Sequence, residues 1–206
     1  MQKRLEGFDR FLAAHPQWHR RVTYLQIAPT SRSEIKEYVE INRMVDELVG
    51  QINGRYGEAS WTPIRYINRS YSRTALSGIY RAADVGLVTP LRDGMNLVAK
   101  EFIAAQDADD PGALILSQFA GAAAELDAAI LINPHEADAF AEAILQALEM
   151  PLEERIERHA KMYKRIARNN VDRWATSFLH ALAETQKRPG LLDGFKSLFN
   201  PRPREA

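Results

Sequence analysis

An apolar run that leads through a short polar loop into a helix constrains this chain most. Residues 84–88 are Asp-Val-Gly-Leu-Val, the composition of a buried strand. Residues 89–95 contain Pro, Arg, Asp and Gly, and Asn96 is a good N-cap for the helical pattern that follows. In α/β proteins this junction exposes backbone N–H groups and the positive end of the helix dipole. The segment therefore predicts an α/β fold with a site for a phosphate or a sugar at this loop.

Strand and helix patterns alternate along most of the chain, which predicts a layered α/β domain. We expect a Rossmann-like parallel sheet flanked by helices, with a helical C-terminus, over residues 1–187, and a flexible tail over 188–206. The expected strands are 22–28, 63–67, 84–88, 113–117 and 129–132, and the expected helices are 3–14, 33–56, 73–83, 96–106, 136–149, 152–168 and 172–187. A doubly wound domain usually opens with a strand, whereas this chain opens with a helix.

The composition excludes several classes of protein. The 27 basic residues balance the 27 acidic ones, so the overall charge indicates neither a nucleic-acid nor a membrane partner. Absence of cysteine excludes disulfides and thiolate metal sites, and the five histidines lack the spacing of metal ligands. No signal peptide is recognisable, and no apolar run reaches about 18 residues, so we expect a cytoplasmic protein.

Two carboxylates stand out in the strand–loop–helix segment. Seven residues separate Asp93 from Glu101, so one lies in the loop and the other about two helical turns further on. Two hydrogen-bond acceptors at different depths of one cleft suit a ligand with hydroxyls at both ends and a phosphate between them, such as a nucleotide sugar. The alternative is an ordinary charged loop followed by a solvated helix face.

Two further side chains follow strand ends. Arg32, after the first expected strand, is placed to bind a phosphate bidentately, although a solvated surface arginine is the commoner role. Tyr71, after the second, is placed to stack on a nucleobase, although a packing role is common for such a tyrosine.

Three segments together carry a family resemblance: residues 26–32, 83–101 and 117–123. They resemble the bacterial α,α-trehalose-6-phosphate synthases, retaining glycosyltransferases with the two-domain GT-B fold, and the likeness runs from about residue 3 to residue 187. The resemblance implies that the chain corresponds to the C-terminal, donor-binding half. The N-terminal domain, the first strand of the C-terminal domain and a basic turn upstream of the first helix would then have no counterpart in it.

The resemblance implies transfer of glucose from UDP-glucose to glucose 6-phosphate, with retention, to give trehalose 6-phosphate and UDP. No cofactor or metal is expected beyond the donor substrate, and the intact enzyme is expected to be a homo-oligomer. Asp93 would be the catalytic residue that binds the donor glucose, Glu101 would bind the ribose, Tyr71 the uracil and Arg32 the acceptor phosphate. The implied donor-binding set is Tyr71, Asp93, Gly94, Met95, Asn96, Leu97, Val98, Ala99, Lys100 and Glu101.

Two alternatives stay open. The chain could be a non-catalytic module for nucleotide-sugar binding or assembly, or part of a related transferase with another acceptor such as glycerol 3-phosphate. For the donor-binding half of a trehalose-6-phosphate synthase, we expect little or no transferase activity from the chain alone, because the cations that bind the pyrophosphate and the wall of the acceptor pocket would be missing. We also expect Trp174, Phe178 and Leu182, on one face of the last helix, to be exposed and to favour association.

Overall fold

The computed structural model describes residues 1–29 and 36–187, with the side chains of 39–185 in the second range. Arg32 and the tail 188–206 lie outside the described residues. The chain divides into two compact units, and the boundary in the sequence falls between Arg165 and Ile166.

The first unit contains the alternating strands and helices. Its strands are β1 (Tyr24–Ile27), β2 (Ile64–Ile67), β3 (Val85–Val88), β4 (Ala113–Ser117) and β5 (Ile130–Ile132). The helices of the described chain are α1 (Gln2–Ala14), α2 (Lys36–Tyr56), α3 (Arg73–Arg81), α4 (Leu97–Ala105), α5 (Ala137–Glu149), α6 (Leu152–Arg168) and α7 (Val171–Lys187). Every strand and helix predicted from the sequence is present, and the ends that fall on described residues shift by at most two residues. The predicted start of the second helix, residues 33–35, lies outside the described residues.

All strand pairs are parallel, which confirms the predicted α/β, Rossmann-like class. The described strands form two sheets rather than one, however. Within the described residues, β1 pairs with β2 in one sheet, and β3, β4 and β5 follow in that order in another. β4 lies between two strands and is buried at every residue, as a central parallel strand should be.

Helix α1 joins the two sheets through a shared hydrophobic core. Its apolar face (Leu5, Phe8, Phe11 and Leu12) is buried, and it packs against α5 and α2. Gly7 allows the approach to α5, because a Cβ at this position would lie 2.5 Å from the ring of Phe140. The core therefore continues from β4 and β5 through α5 and α1 to α2 and β2.

The described part of the second unit is the end of α6 and all of α7. Trp174 is 60% exposed, Phe178 54% and Leu182 48%, which confirms the predicted apolar face. The rings of Trp174 and Phe178 stack with centroids 5.4 Å apart. None of the helices in the described ranges is both long and apolar enough to cross a membrane.

Candidate functional site

The loop between β3 and α4 is held in place by a second loop, residues 119–122, which follows β4. The N–H of Asp93 donates to the carbonyl of Phe119 at 3.2 Å, and its carbonyl accepts from the N–H of Gly121 at 3.0 Å. The N–H of Ala122 donates to the carbonyl of Met95 at 2.7 Å. These three backbone bonds fix the loop before any ligand is present, so the site is preorganised.

The Asp93 side chain organises its own loop. One carboxylate oxygen accepts from the N–H of Met95 at 3.1 Å, and the other accepts from the amide of Asn96 at 2.9 Å. The Asn96 side-chain oxygen in turn accepts from the N–H of Ala99 at 3.0 Å, which confirms the predicted N-cap of α4. Asn96 has φ 77°, a conformation that costs energy in a residue other than glycine and that occurs often at functional sites.

Two backbone donors at the start of α4 remain available. The cap satisfies the third N–H of the helix, at Ala99, but no group within the described ranges accepts from the N–H of Leu97 or Val98. Both residues are exposed. Two free, parallel N–H groups at the positive end of a helix dipole form a site for an anion.

The charged residues of α4 have different environments. The Lys100 amine pairs with Glu125 at 3.0 Å, and its side chain is only 17% exposed, so its charge is offset within the protein. Glu101 is exposed and lies close enough to Tyr80 to influence it: burial first, and then the Glu101 charge, raise the pKa of the Tyr80 phenol. Glu101 thus faces solvent.

Tyr71 lies in the segment that enters α3. Its hydroxyl accepts from Nε and an Nη of Arg69 at 3.2 and 3.1 Å, and the guanidinium lies 5.0 Å from the ring centroid. Ser72, the next residue, caps α3 by accepting from the N–H of Ala75. The helix cap and the arginine together orient the tyrosine ring.

A large cavity brings part of the predicted set together. Its volume is about 1110 Å³, and Tyr71, Asn96 and Val98 contribute to its wall. The other predicted donor-binding residues do not line it, although Asp93 contacts Asn96 directly. Arg32 lies outside the described residues, so its predicted role stays a prediction.

Sequence reasoning missed three contributors to this region. Residues 119–122 hold the loop through backbone atoms alone, and only Gly121 offered a signal, as a glycine in a segment already noted for its resemblance. Arg69 orients Tyr71 as described above. The Arg4 guanidinium, in the first turn of α1, donates to the hydroxyl of Thr89 at 3.0 Å and to the side-chain oxygen of Gln26 at 3.1 Å. No sequence pattern predicted these contacts, because they join residues far apart in the chain.

The described residues contain no group of three or more His, Asp or Glu side chains arranged to hold a metal ion. The site consists of the N–H donors at the start of α4, the loop held by the Asp93 carboxylate, the exposed Glu101 and Tyr71. These groups suit the binding of a phosphate-bearing ligand with several hydroxyls.

Comparison with known proteins gives consistent matches. The family described as Glycosyltransferase family 20 matches residues 1–184. A trehalose-6-phosphate synthase of Enterobacter sp. (strain 638) is 50% identical over 188 residues, which are 91% of this chain and 40% of that protein. The chain thus spans about 40% of the length of the curated relatives it matches.

Solved structures agree with the sequence matches. A trehalose-6-phosphate synthase from E. coli, bound with UDP-2-fluoro glucose, superposes with a TM-score of 0.86 at 48% identity and covers 87% of this chain and 40% of that one. A synthase from Burkholderia xenovorans in complex with glucose-6-phosphate gives a TM-score of 0.86 at 47% identity, over 88% of this chain and 40% of that one.

Proposed function

Because the chain belongs to glycosyltransferase family 20, we propose that it supplies the donor site of an enzyme that transfers glucose from UDP-glucose to glucose 6-phosphate. The products are trehalose 6-phosphate and UDP, with the configuration of the donor retained. The observation that carries this proposal is the pair of free N–H groups at Leu97 and Val98, beside the loop braced by Asp93. Relatives bound to a UDP-glucose analogue and to glucose 6-phosphate support it.

In the proposed complex the pyrophosphate of the donor lies at the start of α4. The N–H groups of Leu97 and Val98 donate to its oxygens, and the helix dipole offsets their charge. Gly94, Met95 and Asn96 present the loop backbone to the glucose, and Glu101 accepts from the ribose hydroxyls. Tyr71, held by Arg69, packs beside the uracil. Ala99 stabilises the start of α4, because its N–H donates to the Asn96 cap. Lys100 stabilises the same helix through its ion pair with Glu125.

Asp93 has two roles in this scheme. Each of its carboxylate oxygens accepts one hydrogen bond from the loop, and a carboxylate oxygen has a second lone pair available. The remaining acceptor positions serve the hydroxyls of the donor glucose. The aspartate therefore ties the orientation of the sugar to the geometry of the loop.

In the transfer step, the bond between the glucose C1 and the UDP oxygen breaks while the acceptor hydroxyl oxygen bonds to C1 from the same face. The acceptor proton passes to the leaving phosphate oxygen, so atoms and charge balance without a protein base. The chain contributes positioning and stabilisation of the charge that develops on UDP. Arg32 is proposed to bind the phosphate of glucose 6-phosphate.

A second candidate is a nucleotide-sugar-binding module that does not turn over by itself. The observation in its favour is that the groups described above, the N–H donors of Leu97 and Val98 and the loop held by Asp93, suit donor binding. A related transferase with a different acceptor, such as glycerol 3-phosphate, shares the same donor chemistry.

Calorimetry of UDP-glucose with the purified chain tests the proposal, and mass spectrometry of a mixture with glucose 6-phosphate tests turnover. Glu101→Gln should weaken binding by about 1–3 kcal/mol, because a charged acceptor is lost. Glu157→Gln is the matched control, since Glu157 is also exposed on a helix but lies in α6. Equal affinity of both variants and the wild type would refute the donor site. Binding without product would favour the module.

A further inference from the structure

Tyr71 and the cap of α4 lie at the amino ends of two neighbouring helices. Tyr71 leads into α3, which follows β2, and Asn96 caps α4, which follows β3. The two helices pack against each other, and near their carboxyl ends the rings of Tyr80 and Phe102 meet edge to face with centroids 6.4 Å apart. Their amino ends therefore lie side by side, with Tyr71 and Asn96 in the wall of one cavity.

The Arg69 guanidinium is held at the hydroxyl end of the Tyr71 ring. Its Nε and one Nη donate to the Tyr71 hydroxyl at 3.2 and 3.1 Å, and its central carbon lies 5.0 Å from the ring centroid. Neighbouring aromatic rings place their centroids about 4.5–7 Å apart. A nucleobase beside Tyr71 would thus lie at a similar distance from the ring as the guanidinium, and its edge would be within reach of Arg69.

This pair of side chains offers hydrogen-bond donors to a ligand. A guanidinium carries five N–H groups, so three remain after the two bonds to Tyr71. The same two bonds occupy the lone pairs of the Tyr71 hydroxyl, which is left with its own proton to donate. Within the described ranges, the Arg69 guanidinium donates to no group other than this hydroxyl. A ligand edge that carries acceptors matches the pair, and an edge that carries donors does not.

The edge of the base that reaches Arg69 follows from the direction of the proposed donor. Its pyrophosphate lies at the start of α4 and its base at the start of α3, so the edge furthest from the ribose points towards Arg69. That edge carries the group at C4 of a pyrimidine or at C6 of a purine. Uracil and guanine have a carbonyl oxygen there, whereas cytosine and adenine have an amino group.

We propose that Arg69, oriented by the Tyr71 hydroxyl, determines base specificity and selects nucleotides whose base has a carbonyl oxygen at the edge furthest from the ribose. The inference rests on the proposed function, which places the base of the donor beside Tyr71. A guanidinium N–H donates a charge-assisted bond to that oxygen. An amino group at the same place points its hydrogens at those of Arg69 and leaves a charged donor unpaired. Uridine and guanosine diphosphates are therefore preferred to cytidine and adenosine diphosphates.

Calorimetry of the purified chain with UDP and with CDP measures this contact. The two diphosphates carry the same charge and differ in the base alone, so the ratio of their affinities cancels any attraction of Arg69 to the phosphates. We expect UDP to bind about tenfold or more tightly than CDP, and GDP more tightly than ADP by a similar factor. Equal affinities of UDP and CDP, with both above GDP, would indicate selection by ring size and would overturn the proposal.

Arg69→Met keeps an unbranched side chain and removes its N–H donors. The UDP affinity should fall about tenfold and the CDP affinity should stay unchanged, so the ratio falls about tenfold. Arg73→Met is the matched control, because Arg73 is also exposed and is the first residue of α3, and it should keep the wild-type ratio. Equal weakening of UDP and CDP in Arg69→Met would overturn the proposal and leave Arg69 with the role of orienting Tyr71.

Tyr71→Phe makes the same test from the other side of the contact, and it replaces Arg69→Met if that variant fails to fold. The variant keeps the ring and removes the hydroxyl that holds the guanidinium, so the ratio of UDP to CDP affinity should fall while CDP still binds. UDP binding with the wild-type ratio in both variants would refute the specificity role alone. Absence of UDP binding by the folded wild type would refute the proposed function together with it.

Discussion

Gly121→Ala should disrupt the candidate site although residue 121 contacts no predicted ligand. A Cβ on Gly121 would lie 2.1 Å from the Gly94 carbonyl oxygen, 2.8 Å from its carbon and 3.3 Å from the Met95 nitrogen. All three atoms belong to the backbone, so no side-chain rotation relieves the overlap. The two loops must move apart.

The expected cost follows from the contacts that this movement breaks. Overpacking in a filled region costs about 1–3 kcal/mol. The bonds from Gly121 to Asp93 and from Ala122 to Met95 contribute about 1 kcal/mol each. Alanine gives the unfolded chain less conformational entropy than glycine does, and this difference offsets about 0.4–1 kcal/mol of the loss. The net loss of stability should be about 2–5 kcal/mol, and the displaced loop should lower UDP-glucose affinity at least tenfold or so.

Urea unfolding followed by circular dichroism measures the stability, and calorimetry measures the affinity. Gly50→Ala is the control, because Gly50 lies inside α2 and a Cβ there meets nothing within 4 Å. That variant should gain about 0.5–1 kcal/mol from the better helix propensity of alanine. A Gly121→Ala protein with wild-type stability and wild-type affinity would refute the claim that the 119–122 loop positions the site.

Three further expectations concern other parts of the chain. Gly94→Ala should leave the free energy of unfolding unchanged within about 1 kcal/mol, because a Cβ at this position meets nothing within 4 Å. The same variant should weaken UDP-glucose binding in calorimetry, because the added methyl group takes space proposed for the sugar. Wild-type affinity would contradict this placement of the sugar. A double-mutant cycle on Lys100 and Glu125, measured by urea unfolding, should give a coupling energy of about 1 kcal/mol, since both side chains are mostly buried. If the stability losses of the two single variants simply add in the double variant, the ion pair does not stabilise the fold. Replacing Trp174 and Phe178 by serine should reduce concentration-dependent association in light scattering, and unchanged scattering would show that this face does not self-associate.

The elements of the fold followed from the sequence because each rests on local information. Apolar runs such as 113–117 predict strands, and the spacing of apolar residues in α1 predicts a helix with one buried face. Asn96 was recognisable as an N-cap because side-chain capping depends on a few adjacent residues. Its positive φ was not predictable, since that conformation results from the bonds that Asp93 and the 119–122 loop impose.

The lateral arrangement was less accessible to sequence reasoning. Periodicity identifies a strand but does not identify its neighbour. The sequence therefore did not predict that β1 and β2 form one sheet and that β3, β4 and β5 form another. The bonds between Asp93 and residues 119–121 join backbone atoms across more than 20 residues of chain. Backbone partners of this kind carry almost no residue-type signal, whereas Gly121 does, because only glycine fits against the Gly94 carbonyl.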